Sequence, residues 1–222
     1  MLTKRTIQLG DYNTSSHGWT LSAWALSEPT PVTKLQDVPG RIKGPLDMST
    51  ILTGGQPVYE SRSLSVTLET SEGDRLEREA RISDIINRLH GRRVQVIIPD
   101  RPNYYAVGTL TVARKYNDPA HGSVEVAGTC EPWLYAMTET VVPLQATEAV
   151  QTTTLLNQGV MPVVPVLQVE GGSVTLAYNG VSLVMDAGTY KWPDLYLTSG
   201  EHVVAYTGAG TLIITYREAV LR

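Results

Sequence analysis

The chain has 222 residues, 42% hydrophobic and 18% charged, which excludes a disordered chain and supplies a core for one large or two small domains. The net charge of −4 is unevenly spread: residues 1–136 hold 15 basic and 15 acidic side chains, residues 137–222 hold 3 and 7. Neither part has the basic excess of a nucleic-acid binder, and the shift suggests two domains, 1–140 and 141–222. No apolar run reaches the roughly 18 residues of a membrane-spanning helix. MLTKRTIQLGDY lacks the apolar stretch of a signal peptide, so synthesis and assembly in a cytoplasm are expected.

The first unusual stretch is DVPGRIKGPLDMS, residues 37–49. Pro39 and Pro45 fix φ, Gly40 and Gly44 permit unusual angles, and Arg41 and Lys43 lie between the glycines. No G-K-[ST] follows and no helix begins there, so it is not a phosphate loop. Asp47 is expected to hydrogen-bond local backbone, with Ser49 as neighbour. The stretch reads as an architectural connector.

SLSVTLE (63–69) alternates Leu64, Val66 and Leu68 with polar residues, the period of a half-buried strand. In the next segment Ile82, Ile85, Ile86 and Leu89 recur at helical spacing, predicting a helix over about 74–90. Asp74 and Glu77 make a capping box, and Gly91 suits the position after the helix end. Glu77–Arg81 and Asp84–Arg88 are expected as i,i+4 ion pairs. Arg75, Arg78, Arg81, Arg88, Arg92 and Arg93 could touch phosphate, but a solvated face with paired charges explains them more simply. RVQVII (93–98), YYAVGTLTVARKY (104–116, with Gly108 a candidate bulge) and SVEVAGTCE (123–131) are further strands, the last two joined as a hairpin by DPAHG.

The second part reads as all-β. VVPVLQVE (163–170), SVTLAY (173–178), VSLVM (181–185), HVVAYT (202–207) and TLIITYR (211–217) are short strands. Glycine-rich pairs and triplets separate them, and Asn179-Gly180 has the signature of a type I′ hairpin turn. Short strands at this spacing predict a sandwich.

Chemistry is sparse. His17, His90, His121 and His202 stand apart from other metal-ligand residues, so no metal site is expected. His90, at the helix end, suits bonding to the last carbonyls. The single cysteine, Cys130, reads as a buried inert thiol. Asp37, Asp47 and Asp100 could in principle form an acid pair, yet turn chemistry accounts for each. No nucleophile motif is present. Trp19, Trp24, Trp133 and Trp192, with Tyr104, Tyr105 and Tyr190, could build a sugar platform. KWPDLY, with Tyr190 and Trp192, is its best candidate, against a core role for the same rings.

Taken in order, these segments resemble the distal tail protein family of long, non-contractile-tailed bacteriophages. The residues that carry the resemblance are Pro39, Gly40, Gly44, Leu46, Asp47, Ser49, Leu52, Gly54, Tyr59 and Arg62. Gly91, the D-x-P-x-Y-Y run ending in Tyr105, Gly108 and the exit VEVAGTCEPWLY follow, and then the ending LYLTSGEHVVAYTGAGTLIITYREAVL. The likeness covers roughly 18–136 and 165–222. Departures are Leu64, Val66 and Leu68 where the family often has aromatics, and Pro45 after Gly44.

The resemblance implies a mainly β chain: an N-terminal split β-barrel with one α-helix that builds a ring, and a C-terminal galectin-like β-sandwich. It implies a non-enzymatic tail-tip (baseplate) protein of the virion, without cofactor or membrane insertion. The ring, by family habit a hexamer, would join the tail-tube protein to the tail hub or tail-associated protein. DNA would pass through its lumen without specific binding. A closed ring needs two different patches per subunit, and the strand region 58–69 is a candidate edge for one of them. The alternative is a carbohydrate-binding β-sandwich module acting in host-surface adhesion.

Overall fold

The computed structural model describes residues 6–37, 46–50, 53, 55–117 and 121–222. The chain is mainly β and divides into two compact units, Met1–Leu134 with Arg222, and Tyr135–Leu221. The sequence-based division at 140/141 cuts into a strand of the second unit.

In the N-terminal unit β1 (Gln8–Leu9) and β2 (Tyr12–Asn13) form a tight hairpin, followed by a 3-10 turn (Ser15–His17) and β3 (Thr20–Leu26). β4 (Leu35–Gln36) and β5 (Leu46–Asp47) form a separate two-stranded ribbon. Then come β6 (Arg62–Thr70), α1 (Arg75–Leu89), β7 (Arg93–Ile97), β8 (Tyr104–Asn117) and β9 (Gly122–Ala136). The main sheet runs β2-β1-β7-β8-β9-β6-β3 and curls as a half-barrel.

The alternation in β6 does what its period requires. Leu64, Val66 and Leu68 are each at most 2% exposed, while Ser63, Ser65 and Glu69 face out. Each such side chain contributes roughly 1.5–3 kcal/mol of hydrophobic stabilisation. β6 pairs with β9 on one side and β3 on the other, so it is interior. The expectation of an edge over 58–69 therefore fails for 62–69, and β3 is the edge instead. β3 was illegible because a bulge between Leu21 and Ala23 breaks its alternation. β9 runs on through Pro132, which is tolerated because its pairing with β6 ends at Cys130.

The helix begins where Asp74 Oδ1 accepts the Glu77 N–H at 2.9 Å and Glu77 Oε2 accepts the Asp74 N–H at 3.3 Å. Ile82, Ile85 and Leu89 are buried, and the helix lies against β8. Asp84 and Arg88 pair at 2.7 Å. The expected Glu77–Arg81 pair is not the one made: the Glu77 carboxylate caps the helix, and Arg81 turns to Glu72 at 3.8 Å and to the Thr70 hydroxyl.

The second unit contains β10 (Thr140–Ala146), β11 (Gln151–Asn157), β12 (Val166–Tyr178), β13 (Val181–Met185), β14 (Gly188–Lys191), β15 (Gly200–Tyr216) and β16 (Ala219–Val220). Here the sequence-based division into short strands is corrected. Residues 166–178 are one strand, and so are 200–216. Gly171-Gly172 and Gly208-Ala209-Gly210 are not turns but the place where these two long strands bend side by side. Before the bend β12 pairs with β14, and after it with β13. Likewise β15 pairs first with β11 and then with β10. One bent sheet thus supplies two four-stranded layers around a single core that includes Leu144, Leu155, Leu167, Leu176, Val204, Leu212 and Ile214. The sandwich is reached by folding a sheet rather than by stacking two. Asn179 and Gly180, at φ 50° and 82°, form the expected hairpin turn between β12 and β13.

Candidate functional site

Pro39, Gly40 and Gly44 lie outside the described residues, as do Leu52 and Gly54, and for Leu46 only the backbone is described. The described end of the connector, residues 46–49, is held by backbone and short polar side chains. Asp47 Oδ1 accepts the Ser49 N–H at 2.8 Å, and Ser49 Oγ accepts the Lys34 N–H at 2.8 Å across the β4–β5 ribbon. The Ser49 bonds hold the exposed Asp47 carboxyl below its ordinary pKa. Val32 N–H donates to Val58 O and Glu60 N–H to Thr30 O, both at 2.8 Å. Residues 30–36 therefore run beside 46–47 and 58–60 as a two-chain arm, with Leu35 59% exposed.

The base of this arm carries two resemblance positions. Tyr59 bridges Pro31 and packs edge-on against Trp133, ring centroids 5.5 Å apart. Arg62 is 4% exposed, and its Nε donates to the Ser27 carbonyl at 2.6 Å. Burial pulls its pKa down, with the Glu28 charge opposing. Ser27 went unremarked in the sequence, yet its hydroxyl also accepts the Ser63 N–H at 2.8 Å. A serine one residue past a strand whose partner strand starts with arginine is the only signal, and it is weak.

The remaining positions line the sheet. Gly91 has φ 75°, and its N–H donates to Leu110 O at 2.7 Å, tying the helix end to β8. The His90 backbone N–H donates to the Ile86 carbonyl at 2.9 Å, while its side chain turns to β8 instead of the last helix carbonyls. Its Nδ1 lies 3.2 Å from the Val112 amide nitrogen and 3.0 Å from Val112 O, because β8 passes alongside. Tyr105 is buried in β8. Gly108 is not a bulge on the β7 side: it sits opposite Val94 in unbroken register. A side chain there would meet Cys130 Sγ at 2.5 Å and Thr129 O at 2.8 Å, so glycine permits the close approach of β8 and β9. Cys130 is 1% exposed, and burial pushes its thiol pKa up to about 11, which leaves it unreactive at neutral pH.

Among the aromatic candidates, Trp19, Tyr105 and Trp192 are buried. Trp19 is fully buried, its indole N–H donating to the Tyr12 hydroxyl at 3.0 Å. Trp192 is 6% exposed and belongs to the core of the second unit, with Tyr190 packed half-buried against that core. Trp192 Nε1 is committed to Asp194 at 3.0 Å. A ring buried to this extent has no face for a sugar, so the KWPDLY reading gives way to packing. Among the arginines expected on a paired face, Arg88 meets Asp84, Arg93 meets Glu131, and Arg78 bonds Gly73 O. Among the described residues no group of three or more His, Cys, Asp or Glu could hold a metal ion, and no helix is long and apolar enough to cross a membrane.

No family model matches the sequence, and no curated protein matches it. A solved structure does. The crystal structure of the SPP1 Dit (gp 19.1) protein, described as a paradigm of the hub adsorption apparatus in phages infecting Gram-positive bacteria, superposes with a TM-score of 0.67. The match covers 96% of this chain and 98% of that one, at 13% identity. At that identity the likeness establishes the fold: this chain has a Dit-like fold.

Proposed function

We propose that the chain is a structural, non-catalytic component of a phage tail tip. The observation that carries this reading is the likeness to SPP1 Dit across both units and nearly the whole of each chain. In this reading the N-terminal unit builds a ring, hexameric by family habit. One face of the ring meets the tail tube and the other meets the tail hub or tail-associated protein. The second unit is a galectin-like sandwich carried on the ring, and assembly takes place in the host cytoplasm. β3, which ends the described order of its sheet, offers an edge of the kind that continues a sheet into a neighbour. A net charge of −4 suits a lumen that must release DNA, since each neutralised phosphate would add affinity.

Negative-stain imaging and mass photometry of the full chain, alone and with the tube and hub proteins from the same genome, test this. Rings, or a complex with either partner, are the expected outcome. A strictly monomeric chain that binds neither would overturn it.

A further inference from the structure

The layers of the second unit end in edge strands: β11 and β13 in one layer, β10 and β14 in the other. An open edge invites another strand, and proteins block it with proline or charge. β10 carries Pro143 in its middle, and β14 ends in Lys191. β11 is closed in part by its own unit, since Leu156 O accepts the Tyr216 hydroxyl at 2.7 Å. β13 has none of these devices: its sequence VSLVM holds no charge and no proline. In a hairpin with a two-residue turn, the residues flanking the turn exchange both backbone hydrogen bonds. Tyr178 and Val181 flank Asn179-Gly180, so Val181, Leu183 and Met185 turn their N–H and C=O groups toward β12. Those of Ser182 and Val184 point away from it, and among the described residues no strand, loop or side chain takes them up. Val184 is 66% exposed and Val181 48% exposed, so apolar side chains are left at this edge as well.

We propose that the β13 edge pairs antiparallel with β13 of a second copy of this chain, about a twofold axis at Leu183. Reversed about that residue, the strand is complementary to itself. Ser182 falls opposite Val184 of the second copy, and Val184 opposite its Ser182, so every outward N–H and C=O of both strands finds a partner. On the core side Leu183 meets Leu183 of the second copy, and Val181 meets its Met185. On the outer side Val184 covers Ser182 of the second copy. No charge enters the seam: Asp186, the first charge beyond the strand, falls opposite Gly180 of the second copy rather than opposite another carboxylate. A strand of another protein could make the same backbone bonds, but the side-chain match at each position singles out a second copy. A twofold contact uses the same patch on both sides and cannot close a ring, which needs two different patches. The seam therefore joins two chains or two rings, and it does not rest on the tail-tip reading.

The acidic excess of residues 137–222 makes two copies repel at long range, and salt screens this. Sedimentation equilibrium of the full chain is therefore run at high salt over rising concentration. The basic species, single chain or ring, should double in mass. Ser182→Pro removes an outward donor and spares the pairing with β12. Val184→Lys places a charge in the seam. Each variant should lose the doubling, with the Trp192 denaturation curve showing the unit still folded. Leu183→Cys should give a disulfide-linked pair on oxidation, because a residue facing itself at a non-hydrogen-bonded position lies roughly 4.5 Å away between Cα atoms. Val181→Cys faces Met185 and should not cross-link, and the buried Cys130 does not compete. No doubling, doubling that survives both edge variants, or Val181→Cys cross-linking as readily as Leu183→Cys would overturn the proposal. A chain that forms rings which never pair loses this seam alone. One that pairs but neither forms rings nor binds the tube or hub protein loses the tail-tip reading and keeps the seam.

Discussion

The two units solve the same problem, covering a curved sheet, with different materials. The N-terminal unit lays a charged helix on its sheet and ties it down at both ends, by the Asp74–Glu77 box and by the Gly91 bond to β8. Arg114–Glu79 and Arg93–Glu131 add ion pairs around it. The second unit uses no helix. Two long strands bend at a glycine corner, and the sheet covers itself. The first solution leaves an arm, an edge and a charged cleft on the surface. The second puts nearly everything into an apolar core and one corner where backbones nearly touch. Sensitivity to mutation should therefore be concentrated at the corner in one unit and spread over many small contacts in the other.

The largest expected effect is at that corner. A Cβ on Gly172 would land on the Ala209 carbonyl oxygen, and one on Gly208 on the Ser173 carbonyl oxygen. Neither obstacle is a side chain that can swing away. Gly172→Ala should cost about 3 kcal/mol or more, as overpacking against backbone does. The loss should appear as early unfolding of the second unit, read from the Trp192 signal in denaturant. Unchanged stability would mean that the bend is looser than described.

The corner also shows what sequence can and cannot convey. Period-2 alternation in β6 and helical spacing in α1 are local signals set by which face is buried, and Leu64, Val66, Leu68, Ile82 and Ile85 are legible for that reason. Gly171-Gly172 and Gly208-Ala209-Gly210 were read as turns because glycine marks a turn and a close approach with the same letter. Only the pairing partner, some forty residues away, separates the two. Trp192 and Arg62 pose a related difficulty. Whether an indole offers its face or a guanidinium is buried depends on neighbours brought in from distant strands. Trp24, Glu28, Arg62 and Arg101 line one cleft but come from three such segments, and no spacing rule joins them. Elsewhere the sequence reading passes over β10 and β11, although both strands alternate, and it sets the domain boundary inside the first of them.

The same close-approach logic in the first unit predicts a smaller effect. Gly108→Ala would crowd Cys130 Sγ, which can move, as well as Thr129 O, which cannot. About 1–3 kcal/mol is expected. Gly108→Ala combined with Cys130→Ala should recover part of it in denaturant melts, because the sulfur is the nearer obstacle. A double variant as unstable as the single one would assign the whole cost to the backbone. Smaller again is the helix cap. Asp74→Ala removes the acceptor for the Glu77 N–H and should cost about 1 kcal/mol. Hydrogen exchange should quicken in the first turn of α1 and leave the corner of the second unit untouched.

The smallest effect belongs to Asp47, on the exposed arm, and it is best read by titration. The Ser49 bonds favour the ionised carboxylate, so its pKa in the folded chain lies below the ordinary 3.8. A depressed carboxylate pKa contributes stability that is present above the unfolded value and is lost as pH falls through the folded one. The Ser49 amide resonance should therefore follow a titration with its midpoint below 3.8, while global stability barely changes near neutrality. Asp47→Asn keeps an acceptor oxygen for the Ser49 N–H but has no charge to titrate, so the pH-dependent movement should vanish while the arm stays paired. A midpoint at or above the ordinary value would show that the Asp47–Ser49 bond is not maintained in solution. The arm would then be held by its backbone pairs at Val32–Val58 and Thr30–Glu60 rather than by the connector.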